Sequence, residues 1–219
     1  MIEFRPFKQL DYKVAWDMQK SAVKALKEGV SGNHEAAQQL ILCEHPHTYT
    51  FGKSADRNHL LVNDAFLENI GASRFDIERG GDITYHGPGQ LVGYPILDLR
   101  KLGIGVKEYV FRLEQSLIDL LAHYGIACYR IDKQIGLWVD QDNGIPKKIA
   151  AIGIKVSQGI SMHGFALNVN TDLSYFEHIV PCGIPDKGVT SMALELSSGQ
   201  NLESVAEDYQ SFFRKQFSV

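Results

Sequence analysis

The fold is decided by residues 136–169, which read GLWVDQDNGIPKKIAAIGIKVSQGISMHGFALNV. Three apolar stretches within this region are typical of β-strands, and they cover residues 136–139, 149–156 and 162–169. The turn sequence Asp142-Asn143-Gly144 separates the first two stretches, and Gln158-Gly159 separates the second pair. This spacing predicts three consecutive antiparallel strands joined by tight turns.

Amphipathic helices are predicted on both sides of this region, at residues 11–29, 106–123 and 202–217. Gly29 and Gly125 stand where the first two helices are expected to end. Further strands are predicted at 40–43 and 92–99. Helices mixed with successive hairpins indicate an α+β (mixed α/β) fold rather than a doubly wound one. Because no repeat or long linker interrupts the chain, we expect a single domain over residues 1–219.

The composition excludes several classes of protein. Of the 219 residues, 44% are apolar and 22% are charged, which is typical of a globular chain and not of a disordered or fibrous one. The net charge of −4 predicts no general attraction to nucleic acid or to an anionic membrane. No signal peptide or stretch of 18 apolar residues is evident. Three cysteines without a CxxC pair predict reduced thiols in a cytoplasmic protein.

Residues 79–90 hold four glycines and one proline among twelve positions. This density suits a loop whose backbone approaches a ligand closely, and Arg79, Thr84, Tyr85 and His86 supply polar side chains within it. A purely structural turn is the alternative. A dinucleotide-binding fingerprint is excluded, because Val92 stands where its third glycine would be.

Two further residues could carry chemistry. Lys148 precedes the apolar strand at 149–156 and could be only a solvated strand end. Cys182 could be a small buried hydrophobe, but it lies in a turn between Pro181 and Gly183, where substrate can reach a thiol. Cys43 and Cys128 lie in apolar settings and are predicted to belong to the core.

Metal and nucleotide sites are not predicted. The chain has eight histidines, but it contains no HExxH sequence and no Cys/His quartet. A GxxxxGK[ST] phosphate-binding loop is also missing from the sequence.

Four sequence motifs together resemble the lipoyl(octanoyl) transferase family. The resemblance extends from about Glu44 to Ser191, and 34 positions separate Lys148 from Cys182, as the family spacing requires. Lys147 departs from the many members that carry arginine there, which keeps the charge but loses the planar fork. The motifs are residues 79–90, Lys148-Ile149-Ala150-Ala151-Ile152-Gly153, His163-Gly164-Phe165-Ala166-Leu167-Asn168 and Pro181-Cys182-Gly183-Ile184.

The resemblance implies a fold like the catalytic domain of biotin and lipoate protein ligases, a mixed sheet with flanking helices. It also implies an acyltransferase that moves an octanoyl group from octanoyl-acyl carrier protein to a lysine on lipoyl domains, the first step of protein lipoylation. The acceptors would be the lipoyl domains of 2-oxoacid dehydrogenase complexes and the glycine cleavage H protein. No metal, nucleotide or other cofactor is implied, because the acyl group arrives already activated as a thioester.

The resemblance assigns catalysis to Cys182 and Lys148. Cys182 would form an octanoyl-thioester intermediate. The charge of Lys148 would lower the pKa of that thiol, and after acylation the lysine would accept a proton from the incoming amine. Small residues in the substrate-binding stretches would let backbone line a narrow acyl tunnel. These stretches are Arg79, Gly80, Gly81, Asp82, Ile83, Thr84, Tyr85 and His86, then Ala151, Ile152 and Gly153, then Gly164, Phe165 and Ala166.

Alternative functions remain open at the level of sequence. An ATP-dependent lipoate or biotin ligase would share the fold but would not need Cys182. A non-catalytic module that binds lipoyl domains or acyl carriers would not need Lys148 and Cys182 together. A thiol peroxidase would bring a thioredoxin-like βαβ pattern, which is not evident. Because both protein partners are typically acidic, a local basic face is also expected, and residues 130–155 carry a net charge of +2, from five basic and three acidic residues.

Overall fold

Strands and helices alternate along the part of the chain that the computed structural model describes, residues 2–31, 36–142, 144–180 and 188–217. The strands are β1 (Ile2–Gln9), β2 (Gln38–Glu44), β3 (Thr48–Phe51), β4 (Ser73–Asp76), β5 (Ile83–His86), β6 (Gln90–Ile96), β7 (Tyr129–Ile131), β8 (Gln134–Val139), β9 (Lys147–Ser157) and β10 (Ile160–Asn168). The helices are α1 (Tyr12–Ser31), α2 (Asp64–Asn69), α3 (Val106–His123), α4 (Met192–Glu195) and α5 (Leu202–Phe217).

Two mixed sheets organise these strands. The larger sheet has the order β1-β2-β6-β10-β9-β8-β7, in which only β1 and β2 run parallel. The smaller sheet has the order β4-β3-β5, with β3 parallel to β4 and antiparallel to β5. The predicted α+β class, a mixed sheet with flanking helices, is therefore confirmed.

The three consecutive antiparallel strands predicted from residues 136–169 are present as β8, β9 and β10. Gln158 and Gly159 both have positive φ angles, 54° and 77°, as a tight hairpin turn of type I′ requires. Gly144, in the other turn, has φ 74°, while Asn143 lies outside the described residues. Strand β9 begins at Lys147, two residues earlier than predicted, so Lys148 belongs to the strand itself.

Helices cover both faces of the larger sheet. Alternate residues of β2 point to opposite faces, so Leu40 and Leu42 pack in the core formed with α3 and α5, whereas Ile41 and Cys43 pack towards α1. The alternation continues in β6, where Val92, Tyr94 and Ile96 face α1. The face beneath α1 is the one that carries the cavity described below.

The predicted helices at 106–123 and 202–217 match α3 and α5 residue for residue. The helical cap predicted at Gly125 is also confirmed. Gly125 has φ 82°, its N–H donates to the Ala122 carbonyl at 3.0 Å, and the Ile126 N–H donates to the Leu121 carbonyl at 2.9 Å. These bonds satisfy the last carbonyls of α3, which is why the helix ends there.

Two predicted boundaries were wrong. Helix α1 continues past Gly29 to Ser31, because a glycine inside a helix costs only about 1 kcal/mol and does not force a stop. The strand predicted at 92–99 runs instead from Gln90 to Ile96. It ends early because the Asp98 carboxylate accepts hydrogen bonds from the backbone and guanidinium of Arg100, which bends the chain into a turn.

Candidate functional site

A cavity of about 370 Å³ lies on the α1 face of the larger sheet, beneath residues 79–84. Lys148 and thirteen of the fourteen residues predicted to bind substrate line it, so three motifs that are distant in sequence meet at one site. The sequence analysis did not identify the other residues of its wall, which are Tyr12, Val92, Tyr94, Val110, Lys133, Gln134, Ile135, Trp138, Ile154 and His163.

Tyr85 is the one predicted binding residue that does not line the cavity. Successive side chains of a strand point to opposite faces, so Thr84 and His86 face the cavity while Tyr85 faces away. The Tyr85 hydroxyl lies 2.7 Å from Nδ1 of His47, and its ring packs against Phe176 in a separate apolar cluster.

Arg79 anchors the segment that roofs the cavity. Arg79 is only 7% exposed. Its guanidinium donates to the Thr50 carbonyl at 2.7 Å and to the Thr50 hydroxyl at 3.0 Å. The Gly80 N–H donates to the Ile154 carbonyl of β9 at 2.9 Å. The roof is therefore bonded to the floor strand at one end of the cavity.

Glycines allow this close approach of backbones. A Cβ atom on Gly153 would lie 2.9 Å from Cδ of Arg79 and 3.2 Å from the Gly80 carbonyl oxygen. Gly164, which pairs with Gly153 across β9 and β10, has even less room, because its Cβ would lie 2.1 Å from the Gly93 carbonyl oxygen. The predicted need for small residues thus has a specific cause, since two backbone layers and the Arg79 side chain occupy the space.

Lys148 is tied to the chain that follows the fourth motif. Its backbone N–H donates to the Gly188 carbonyl, and its carbonyl accepts from the Thr190 N–H, both at 3.0 Å. Its ammonium donates to the Ile135 carbonyl at 3.3 Å and lies 4.7 Å from the centre of the Trp138 ring. Lys148 therefore lines the cavity from β9, with its ammonium over Trp138 of the neighbouring strand β8.

Cys182 lies outside the described residues, as does the rest of the Pro181-Cys182-Gly183-Ile184 motif. The flanking residues are placed: the Val180 N–H donates to the His59 carbonyl at 2.9 Å, and Gly188 is bonded to Lys148. The nucleophilic role of Cys182 stays a prediction.

The other two cysteines belong to the interior, as predicted. Cys43 is completely buried in β2, and burial raises the pKa of its thiol far above the ordinary value. Cys128 is half-buried against the core, and burial raises its pKa to about 11. Burial therefore disfavours the nucleophilic thiolate form of both cysteines near neutral pH.

Buried aromatic and histidine side chains close the cavity away from Lys148. The ring of His86 stacks on that of Tyr12, and burial, with His45 nearby, lowers the pKa of His86 to about 3. Nδ1 of His45 donates to the Leu10 carbonyl at 2.6 Å, its Nε2 accepts from the Tyr94 hydroxyl at 2.7 Å, and burial lowers its pKa to about 4. These imidazoles are neutral near pH 7, so this end of the cavity carries no histidine charge.

Of the wall residues that the sequence analysis missed, only some gave a signal. Val92 and Tyr94 alternate along β6, so their shared face could have been deduced from the strand period. Tyr12 gave none, because its place depends on how α1 packs, whereas His163 stands at the start of the third motif.

Among the described residues, no cluster of three or more His, Cys, Asp or Glu side chains is arranged to hold a metal ion. No helix in those residues is long and apolar enough to cross a membrane.

The chain is an α+β domain in which a mixed sheet, flanked by helices, carries a glycine-roofed cavity that Lys148 lines. The lipoyl protein ligase A/B catalytic domain model matches residues 11–214, and the chain belongs to this family. An octanoyltransferase of Bacteroides fragilis is 46% identical over 198 residues, which cover 90% of each chain. That of Christiangramia forsetii is 41% identical over 225 residues, covering all of this chain and 96% of its own. The predicted family and enzyme class, an octanoyl-transferring acyltransferase, are therefore confirmed.

A solved structure shares the fold at much lower sequence identity. It is that of a bipartite lipoate protein ligase and its E2 lipoyl domain from Thermoplasma acidophilum, 14% identical with a TM-score of 0.66. The alignment covers 96% of this chain and 82% of the other. At this identity the likeness concerns the fold alone, and it agrees with the ligase-like architecture expected from the motifs.

Proposed function

We propose that this chain transfers an octanoyl group from octanoyl-acyl carrier protein to the acceptor lysine of lipoyl domains, through a thioester on Cys182 and with the help of Lys148. The observation that carries the proposal is the cavity, because its floor is apolar and one end is marked by Lys148. Burying an eight-carbon chain there supplies about 0.8 kcal/mol per methylene.

The cavity floor has the dimensions of an octanoyl chain. Ala151 of β9 pairs with Ala166 of β10, which pairs with Val92 of β6, so the three residues form a row across the sheet. Neighbouring strands are about 4.8 Å apart, so the row is about 10 Å long. An extended octanoyl chain has seven C–C bonds of about 1.5 Å and spans about 9 Å. The row therefore suits a chain of this length.

Two acyl transfers make up the proposed reaction. The Cys182 thiolate attacks the thioester carbonyl, a C–S bond forms, and the carrier thiolate leaves and takes up a proton from the Lys148 ammonium, which becomes neutral. The lysine amine of the lipoyl domain then attacks the new thioester. It passes a proton to Nζ of Lys148 in its neutral form, and the Cys182 thiolate leaves. The path of Gly188 beside Lys148 supports this assignment, because only five residues separate Cys182 from Gly188.

The basic face expected for acidic partners is smaller than the count of charges indicated. Arg130 donates to the Glu114 carboxylate at 2.8 Å, and Lys155 lies 3.8 Å from the Glu78 carboxylate. Both acidic partners lie outside residues 130–155. Lys133 and Lys148, which line the cavity, therefore contribute the positive charge nearest to the proposed reaction.

Intact mass spectrometry of the enzyme after mixing with octanoyl-acyl carrier protein tests this function. We expect one octanoyl group, removable by hydroxylamine, to appear on wild-type enzyme without ATP. A lipoyl domain added afterwards should take it up as an amide. Cys182→Ala should stay unmodified, as the matched control. Acyl transfer that requires ATP, or full turnover by Cys182→Ala, would support the ligase alternative instead.

A further inference from the structure

Buried polar atoms next to the cavity have no hydrogen-bond partner in the part of the chain that the structure describes. They are both ring nitrogens of His163, Nε2 of Gln19 and Oε2 of Glu78. His163 is 1% exposed and Gln19 is completely buried, so bulk water does not reach these two side chains, whereas the Glu78 side chain is 41% exposed. Such groups are normally satisfied by an ordered water or a ligand, because leaving them bare costs free energy.

The unpartnered atoms belong to one cluster. The Gln19 side-chain carbonyl accepts from the His163 backbone N–H at 2.9 Å, and Nε2 of His163 lies 3.8 Å from Oε2 of Glu78. His163 lines the cavity, and its φ of 60° is uncommon for a residue other than glycine. Strained backbone of this kind is often retained where a side chain has a function.

The protonation state of His163 suits hydrogen bonding rather than ion pairing. Burial, and then the nearby Arg79 guanidinium, lowers the pKa of His163 to about 4. The neutral imidazole therefore offers one N–H donor and one acceptor, while Gln19 adds a donor and Glu78 an acceptor. A hydroxyl group, which both donates and accepts, matches this set.

The cluster lies beyond the row occupied by an octanoyl chain. His163 pairs with Ile154, three residues along β9 from Ala151, which is about 10 Å away at 3.3 Å per residue. Ile154 and His163 both line the cavity, so the cavity continues along β9 and β10 past this row.

We propose that His163, Gln19 and Glu78 form a polar subsite that binds the terminal hydroxyl of an ω-hydroxyacyl chain longer than octanoyl. The proposal rests on the proposed function, since it extends the acyl donors to ω-hydroxyacyl thioesters. A plain alkyl chain of the same length would bury these polar atoms against methyl groups and leave them unsatisfied. The subsite therefore discriminates against long unsubstituted chains while accepting long hydroxylated ones.

Acyl carrier protein loaded with matched chains tests the subsite. His163 lies about 10 Å along β9 from the octanoyl row, so plain and ω-hydroxy chains from eight to about sixteen carbons cover the distance. Acylation of the enzyme is followed by intact mass. At eight carbons we expect the terminal hydroxyl to give no advantage in acylation rate. At one or more longer lengths we expect it to raise the acylation rate about fivefold, which corresponds to the free energy of one hydrogen bond.

Two further measurements assign the effect to His163. His163→Leu should lose the hydroxyl preference, measured as the ratio of ω-hydroxyacyl to plain acylation rates at each chain length. The second measurement uses wild-type enzyme and needs no variant. The ring ¹⁵N signals of His163 should shift on acylation with the preferred hydroxyacyl chain and should not shift on acylation with octanoyl. A plain chain preferred at every length, a preference that survives His163→Leu, or ring signals that do not move would overturn the subsite. Failure of octanoyl itself to acylate would count against the proposed function instead.

Discussion

Lys148 is held by four interactions, two through its backbone and two through its ammonium. Its backbone joins Gly188 and Thr190 to the sheet, and its ammonium lies over Trp138 with a hydrogen bond to the Ile135 carbonyl. The side chain is therefore fixed at the cavity end rather than sampling solvent. A fixed cation at this place is what the proposed chemistry requires.

Substitution of Lys148 separates its two proposed roles. Lys148→Ala should slow both half-reactions, by about 10²- to 10⁴-fold for the step that needs a base. Lys148→Arg keeps the charge but cannot accept a proton near neutral pH, so it should acylate and then stall at the acceptor lysine. Single-turnover mass spectrometry of each half-reaction measures this. Lys147→Ala is the matched control and should retain activity. If Lys148→Ala left both half-reactions unchanged, the lysine would be only a strand end.

The cysteines should differ sharply in reactivity. Burial raises the pKa of the Cys43 thiol far above neutral and that of Cys128 to about 11, so both are thiols near pH 7. Iodoacetamide at that pH is expected to label Cys182 alone, located by peptide mapping. Cys43→Ser and Cys128→Ser should leave the labelling unchanged, whereas Cys182→Ser should abolish it. Fast labelling of Cys43 in folded protein would contradict the burial of β2.

At the scale of elements, the strands explain both the successes and the failures of the sequence analysis. Hairpins in β8–β10 were predictable because their turns have strong local signals. Residues 79–90 were interpreted as one loop, although β5 and the start of β6 lie within them. The many glycines of residues 79–90 favoured a loop over these short strands in the sequence analysis. The strands pair with β3 and β10, which are distant in sequence, so no local pattern predicts the pairing. The exclusion of Tyr85 from the cavity follows from the same missed strand.

Three glycines of this region should respond differently to alanine. Gly164→Ala would place Cβ 2.1 Å from a backbone oxygen and should prevent folding or cost several kcal/mol. Gly153→Ala meets the Arg79 side chain at 2.9 Å, so it should fold, lose about 1–3 kcal/mol and acylate more slowly as Arg79 shifts. Gly80→Ala, whose nearest contact is 3.5 Å, is the matched control. Urea unfolding and octanoyl acylation measure the two effects, and equal behaviour of all three variants would contradict this packing.

At the scale of the whole molecule, composition and periodicity predicted the α+β class, and the motifs predicted which segments would meet. They did not predict that a second, three-stranded sheet supports the roof, nor that His86 of β5 and His163 of β10 line one cavity, with His45 buried nearby. His45, His86 and His163 are 41 and 77 positions apart in sequence. Their burial depends on the packing of α1 against the sheet, for which no local sequence signal exists.

These three histidines should make the free energy of unfolding depend strongly on pH. In the unfolded chain each has a pKa of about 6.5, but in the folded protein burial lowers the pKa to about 4 for His45 and His163 and about 3 for His86. The unfolded state therefore binds more protons as the pH falls below 6.5, and folded stability decreases.

Each histidine contributes up to about 1.4 kcal/mol per pH unit, so three approach about 4 kcal/mol per unit near pH 5. Above pH 7 the contribution vanishes, because both states are neutral. Carboxylates affect the stability only at lower pH. Burial alone would raise the pKa of Asp98, for example, but its hydrogen bonds to Arg100 hold that pKa below the ordinary value. Urea unfolding between pH 7.5 and 5 measures the slope, and His86→Gln should reduce it by about one third. A stability that stays constant over this range would mean that the histidines take up protons in the folded protein, and so are not sealed in the interior.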